Sequence, residues 1–216
     1  MNELTIEGYL TELGKKEGKP GGGSAAAYIA SMSAALVRMV ADIQKDKKAY
    51  ADYSEEITQA LEASHDLRKA FEQLAKDDAV AFEPVLMAYK LPKGNEDEKE
   101  RRQEEIQKAI RGAAQPPLEM LEKSHDLIDL IEQLTRMKMR GTIVNDLMVA
   151  TLFMGTVLET AVLNVTINTK LLSDKNERNE LEKKAIERLS TGKQRISQLR
   201  QTIEYFLEKN EWPESI

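Results

Sequence analysis

Apolar residues recur every three or four positions along almost the whole chain, and no segment alternates apolar and polar residues with period two over a useful length. The pattern predicts helices and no sheet. Thr5 followed by Ile6, Tyr9, Leu10 and Leu13 predicts a short opening helix, stopped by Gly14 and Gly18. A second helix is expected over 24–43, where Ala26, Ala27, Ala30, Ser31, Ala34 and Ala35 form a small-residue face that lets neighbouring helices come close. A third covers about 50–91 and bends near Pro84, since an interior proline removes a helical hydrogen bond. Leu91-Pro92-Lys93-Gly94-Asn95 predicts a loop. The next helix spans 96–114, with Ile106, Ala109, Ile110 and Ala113 at helical spacing, and Pro116-Pro117 is expected to break it. A further helix over 118–139 ends before Gly141. Residues 143–172 are the most apolar stretch and apolar nearly all round, as a buried central helix should be. The last helix, 176–207, carries Ile186, Leu189, Ile196, Leu199, Ile203 and Phe206 on one stripe. No linker is long or low in complexity. The expected fold is all-α, a single multihelical bundle formed by one domain over residues 1–216.

Composition narrows the function classes. A chain of 216 residues can bury a real core. A net charge of −6 argues against a nucleic-acid partner, which normally calls for a basic surface. The chain has no cysteine, so a disulfide scaffold, a thiol nucleophile and a thiolate metal site are all excluded. Two histidines, His65 and His125, leave little scope for zinc, and no metal site is expected. The first residues lack the basic patch and apolar core of a signal peptide. The central apolar run is short for a membrane span and contains Asp146, Glu159 and Asn164. The expectation is a cytoplasmic protein that does not engage a membrane. The small-residue face and the apolar central helix offer more packing surface than one bundle needs, which predicts a homodimer that pairs through helices.

Candidate chemistry lies where polar or glycine residues interrupt the pattern. Pro20-Gly21-Gly22-Gly23-Ser24 opens the second helix. Ordering three glycines is costly, and such a run persists where the backbone must approach something closely or take φ > 0. Gly22 is the expected point of closest approach, and Ser24 the expected N-cap. A glycine loop at a helix start presents free N–H groups to an anion or polar ligand edge; it is equally a tight turn into a buried helix. Asp77 and Asp78 precede an apolar helical run. They fit a cap with a solvated neighbour, or an inward-facing acid whose raised pKa suits proton transfer. Lys90, Lys93, Arg101 and Arg102 are a solvated face or a contact for an anionic tail. Asn145 and Asp146 sit at the start of the central helix as caps or site residues. Asn164 and Asn168, four apart on one face, either hold a neighbouring turn or read a polar heterocycle. The run Glu62-Ala63-Ser64-His65-Asp66-Leu67 recurs as Glu122-Lys123-Ser124-His125-Asp126-Leu127. Ser, His and Asp at consecutive helical positions point about 100° apart and form no triad, so both histidines are read as structural.

Taken in order, these segments resemble the cyclodeaminase/cyclohydrolase family of one-carbon folate enzymes. The resemblance rests on residues 4–13, on Pro20 to Ala27, and on Asp78-Ala79-Val80-Ala81-Phe82 with Ala88-Tyr89-Lys90-Leu91-Pro92-Lys93. It continues through Arg101 or Arg102, Ala114 with Pro117-Leu118, and Asn164-Val165 with Ile167-Asn168. Asn145 stands where the family usually has serine, and Thr142 where it has asparagine. The resemblance implies an all-helical homodimer with neither metal nor cofactor. The implied ligand is a tetrahydrofolate derivative that can carry a polyglutamate tail. The implied activities are cyclodeamination of 5-formiminotetrahydrofolate and hydrolysis of 5,10-methenyltetrahydrofolate to the 10-formyl compound. Asp78 is the implied proton-transfer acid. Gly21, Gly22, Gly23, Ser24, Lys93, Arg101, Asn145, Asp146, Asn164 and Asn168 are the expected substrate contacts. The rival reading is a non-catalytic helical dimer, either folate-binding or structural.

Overall fold

The periodicity is realised as seven α-helices and one 3-10 turn in the computed structural model, which describes residues 5–16, 19–214 and 216. Helix α1 is Ile6–Leu13, capped by Thr5, whose hydroxyl accepts the Gly8 N–H at 3.1 Å. Gly14 ends it; Gly18, and the Leu4 included in the resemblance, lie outside the described residues. Helix α2 is Gly22–Gln44, followed by the 3-10 turn Lys48–Tyr53 and by α3, Ser54–Ala81. Helix α4, Glu83–Ala88, restarts after Phe82 with Pro84 in its first turn, so the one bent helix expected over 50–91 is divided at the proline. Helix α5 is Glu96–Arg136, capped by Asn95 through the Glu98 N–H at 2.8 Å. Helices α6, Val144–Thr169, and α7, Lys175–Lys209, complete the chain.

One expectation fails outright. Pro116 and Pro117 do not break a helix: α5 runs straight through them, so the two helices expected over 96–114 and 118–139 are one. Each proline removes the N–H that would bond the carbonyl four residues earlier, at Gly112 and Ala113. Gly112 is exposed, so water can take its carbonyl. The Ala113 carbonyl is taken by the Asn168 side chain, whose Nδ2 donates to it at 2.8 Å. A long-range bond therefore supplies what the proline withholds.

Helix α6 packs against α2, α5 and α7, and α3 covers α2 and α5. Val37, Ile57, Phe71, Leu121, Ile131, Leu147, Met154 and Leu158 are among the side chains that fill this core. A second, smaller core of Val85, Ala88, Ile106, Ile110, Ala113 and Leu172 lies where α4, α5 and the end of α6 meet. Two corrections follow from the packing. Helix α6 is not buried all round, since Leu152, Leu163 and Ile167 are 43, 67 and 62% exposed along one face. Most of the small-residue face of α2 is spent inside the chain: Ala26, Ala27, Ala30, Ser31 and Ala34 are buried, and Ala35 is exposed. The exposed large apolar residues of α2 are Met32, Met39 and Ile43. Helices α2 and α6 are long and apolar enough to cross a membrane by length and composition, with mean hydropathies of 1.4 and 1.6. In the bundle they pack on each other, and Ser33 of α2 donates to the Ala150 carbonyl of α6 at 3.0 Å.

Both serines of the repeated Ser-His-Asp run, and the second histidine, have main-chain partners. Ser64 and Ser124 are buried and return their hydroxyls to the helix carbonyls of Ala60 and Met120, at 2.6 and 2.7 Å. His125 Nε2 lies 3.0 Å from the Arg188 carbonyl, tying α7 to α5.

Candidate active site

The glycine run begins α2 two residues earlier than expected. Gly21, not Ser24, occupies the N-cap position, and its carbonyl accepts the Ala25 N–H at 3.0 Å. The N–H groups of the first turn have no partner within the helix. The Asp78 carboxyl reaches this turn from the last turn of α3, and the Ser24 N–H is the main-chain donor that partly offsets the effect of its burial. An acid on a neighbouring helix thus does the work of a side-chain cap.

That meeting fixes which glycine is required. A Cβ on Gly23 would fall 2.2 Å from Asp78 Oδ1 and 2.6 Å from its Cγ, well inside any tolerable contact. At Gly22, the expected point of closest approach, a Cβ would meet nothing within 4 Å. The run is not there for φ > 0 either: among the described glycines only Gly141 has a left-handed backbone, with φ of 94°. Close approach at Gly23 is the physical requirement.

Asp78 opens onto a cavity of about 380 Å³ lined by Lys19, Gly21, Gly22, Gly23, Phe82, Leu86, Ala113, Asn164 and Asn168 among others. Burial pushes the Asp78 carboxyl above the ordinary carboxylate range, and the Ser24 N–H pulls it back only in part. The two asparagines are oriented by the main chain. Asn164 Nδ2 donates to the Thr160 carbonyl and Asn168 Nδ2 to that of Ala113, both at 2.8 Å. Each amide keeps its oxygen and its second N–H for a further partner. The cavity is lined by two amide side chains, one carboxyl and the glycine-rich start of α2. This arrangement suits a heterocycle that carries both donors and acceptors on its edge, with a titratable group beside it.

Sequence reasoning missed Lys19, Phe82, Leu86 and Ala113 as cavity residues. Lys19 Nζ donates to Glu83 Oε1 at 3.0 Å, from the segment before the glycines to the start of α4. Its place directly before Pro20 was the available signal. Ala113 leaves no trace in sequence, because its part follows from the carbonyl that Pro117 frees.

Other expected contacts lie elsewhere. Arg101 and Asp77 line a separate and larger cavity of about 990 Å³ between α3, α4 and α5, which shares Ala81 with the Asp78 cavity. Lys93 is exposed on the loop before α5 and lines neither cavity. Arg102 secures that loop, donating to the Tyr89 carbonyl at 3.1 Å with its guanidinium 5.4 Å from the Tyr89 ring centre. Asn145 and Asp146 stand at the opposite end of α6 from Asn164 and Asn168. Eighteen residues of helix put roughly 27 Å between them, so within one chain they do not join Asp78.

Comparison with known proteins establishes the family. Residues 5–187 match the Formiminotransferase-cyclodeaminase family along the segment that holds α1, the glycine run, Asp78 and both asparagines. The chain belongs to that family. It is 38% identical over 171 residues to a methenyltetrahydrofolate cyclohydrolase of Methylorubrum extorquens, covering 79% of this chain and 82% of that protein. It is 30% identical over 172 residues to the mouse formimidoyltransferase-cyclodeaminase, covering 80% of this chain but only 32% of the relative, so it spans about a third of that longer protein. The crystal structure of formiminotetrahydrofolate cyclodeaminase from Thermotoga maritima superposes with a TM-score of 0.79 at 28% identity, over 97% of this chain and 98% of that one.

Proposed function

We propose that the chain is a one-carbon folate enzyme that acts on the carbon bridging N5 and N10 of tetrahydrofolate, with Asp78 as the proton shuttle. The observation that carries the reading is Asp78 itself: a carboxyl raised by burial, held by a main-chain N–H and opening onto a cavity of the right chemistry. In hydrolysis of 5,10-methenyltetrahydrofolate, Asp78 takes a proton from the water that adds to the bridging carbon. It then gives a proton to N5 as the C–N5 bond breaks, and one proton leaves overall with the 10-formyl product. In cyclodeamination of 5-formiminotetrahydrofolate, N10 attacks the carbon of the protonated formimino group (N5–CH=NH2+), Asp78 carries the N10 proton to the amino nitrogen, and the C–N bond to it breaks to release ammonia and the methenyl cation. Either reaction needs the two nitrogens held in near-attack geometry. In this reading Asn164, Asn168, Gly22 and Gly23, which line the same cavity, hydrogen-bond the edge of the pterin. The higher identity to the cyclohydrolase favours hydrolysis as the main reaction. The enzyme acts in the cytoplasm on folates that can carry polyglutamate tails.

Purified protein should turn over 5,10-methenyl- or 5-formiminotetrahydrofolate, followed by the absorbance of the methenyl chromophore. Folinic acid should raise its Tm, because a ligand bound only by the native state stabilises it. Binding without turnover of either substrate would favour the non-catalytic folate-binding reading. Neither binding nor turnover would leave a structural helical protein.

The active form is a homodimer. Exposed Leu163 and Ile167 on α6, and Met32, Met39 and Ile43 on α2, support this part of the reading, since apolar stripes of this kind mark contact surfaces. Size-exclusion chromatography with light scattering should return twice the chain mass of 24.4 kDa. A monomer at micromolar concentration overturns it.

A further inference from the structure

Helix α1 buries none of its side chains, and Ile6 and Leu10 are 73 and 58% exposed. What it turns inward is Tyr9. The Tyr9 ring meets Tyr28 edge-on with centroids 4.6 Å apart, and its hydroxyl oxygen lies 3.2 Å from Ser24 Oγ. Ser24 is buried in the first turn of α2, where the Asp78 carboxyl packs against Gly23, and the Ser24 N–H is the main-chain donor that favours the charged acid. Three helices therefore meet in one chain of polar groups, from the phenol of α1 through Ser24 of α2 to the acid of α3. Packing alone does not call for the phenol oxygen, because phenylalanine would keep the edge-on contact with Tyr28.

We propose that Tyr9 is a positioning residue for Asp78: its hydroxyl pins the Ser24 side chain and so keeps the Ser24 N–H on the carboxyl. The proposal rests on the reading of Asp78 as the proton shuttle. Burial holds the Tyr9 phenol above its ordinary value, so it stays neutral and able to hydrogen-bond across the working pH range. Among the described residues, the groups around Asp78 come from five elements. Tyr9 comes from α1 and Lys19 from the segment before α2, the latter paired with Glu83 of α4. Ala113 of α5 and Asn164 and Asn168 of α6 are uncharged. Asp77, next in the chain, accepts from Gln73 at 2.8 Å and lines the other cavity. Among these, the Tyr9–Ser24 pair is the contact that governs the one N–H held by Asp78.

The test is Tyr9→Phe, with Ser24→Ala as a second variant that removes the same bond from its other end. The carboxyl carbon of Asp78 is titrated by NMR in the ligand-free protein, a readout that does not require turnover. In both variants Asp78 should titrate higher by roughly half a unit to one unit, since the N–H that favours the charged form is no longer held in place. The double variant should shift no further than either single one. In turnover, kcat should fall about 3- to 10-fold with KM unchanged. The acid limb of the pH profile should move to higher pH, because the shuttle starts as a carboxylate. A Tyr9→Phe protein that is folded and titrates Asp78 where the parent does overturns the proposal, as does additivity of the two changes. If the shift is present but the parent turns over neither folate, the functional reading fails while the positioning role stands. If the parent is active and nothing shifts, the positioning role alone fails.

Discussion

Replacing Asp78 with asparagine is expected to lower kcat by about 10²–10⁴-fold while folate affinity changes little. Asparagine keeps the shape and can still accept the Ser24 N–H, but it neither takes up nor releases a proton near neutral pH. Asp77→Asn should stay within about 3-fold of the parent, because Asp77 faces the separate cavity and accepts from Gln73. Steady-state kinetics on 5,10-methenyltetrahydrofolate with the two variants side by side check the ranking, and a reversal would move the proton transfer away from Asp78. The same variant should be more stable than the parent. The Asp78 carboxyl holds its proton more tightly in the folded state than in the unfolded one. Stability therefore falls as pH rises through the unfolded and then the folded pKa, and the ionised group is a net cost above both. The Tm of Asp78→Asn should exceed that of the parent at pH 7, and the difference should shrink at acid pH, where Asp78 is protonated in both states. A more stable, inactive enzyme is what a strained functional carboxylate predicts.

Gly23→Ala is expected to damage both folding and activity. The new Cβ would lie 2.2 Å from Asp78 Oδ1. Both residues sit on helices packed in the main core, so the aspartate, a short side chain, must swing away and give up the Ser24 N–H. Stability should drop by about 1–3 kcal/mol, as for other overpacked sites. Activity should drop about 10²-fold or more, because the acid leaves its position. Gly22→Ala is the control: open space surrounds its Cβ position and its backbone is helical. Its stability should match or exceed that of the parent by up to about 1 kcal/mol, through reduced freedom of the unfolded chain. Urea denaturation and kinetics on the pair separate a requirement for close approach from mere loop flexibility. If Gly22→Ala proves the more harmful, the backbone at Gly22 itself contacts the ligand closely.

Within the site, the residues legible in sequence were those whose type is expensive without a reason. Three glycines before a helix, two acids before an apolar run and two asparagines on one face all break the pattern, and the Asp78 cavity collects Gly21, Gly22, Gly23, Asp78, Asn164 and Asn168. Ser24 also belongs there, through its backbone and not as the cap its residue type suggested. Lys93, Arg101, Asn145 and Asp146 matched by segment, but matching along the chain carries no information on which end of a helix a cavity occupies. Tyr9 went unremarked because an aromatic at helical spacing reads as core, and only the 3.2 Å contact with Ser24 sets it apart.

For the fold, the 3.6-residue repeat of apolar positions was sufficient to determine an all-helical bundle, the interruption near Pro84 and the order of its elements. Each of these depends on interactions between residues a few positions apart. The tertiary structure decided whatever depends on a distant partner. Pro116-Pro117 reads locally as a break, yet α5 continues because Asn168, far along the chain, supplies a donor for the Ala113 carbonyl. The alanine face of α2 reads locally as an interface and is mostly buried within the chain, while α6, apolar on every side, leaves one face open. The start of α2 at Gly22 and the need for glycine at Gly23 follow from Asp78 arriving from α3. Local composition sets which residues can form a helix; the partner that satisfies a freed carbonyl, a free N–H or an apolar face is chosen only when the helices meet.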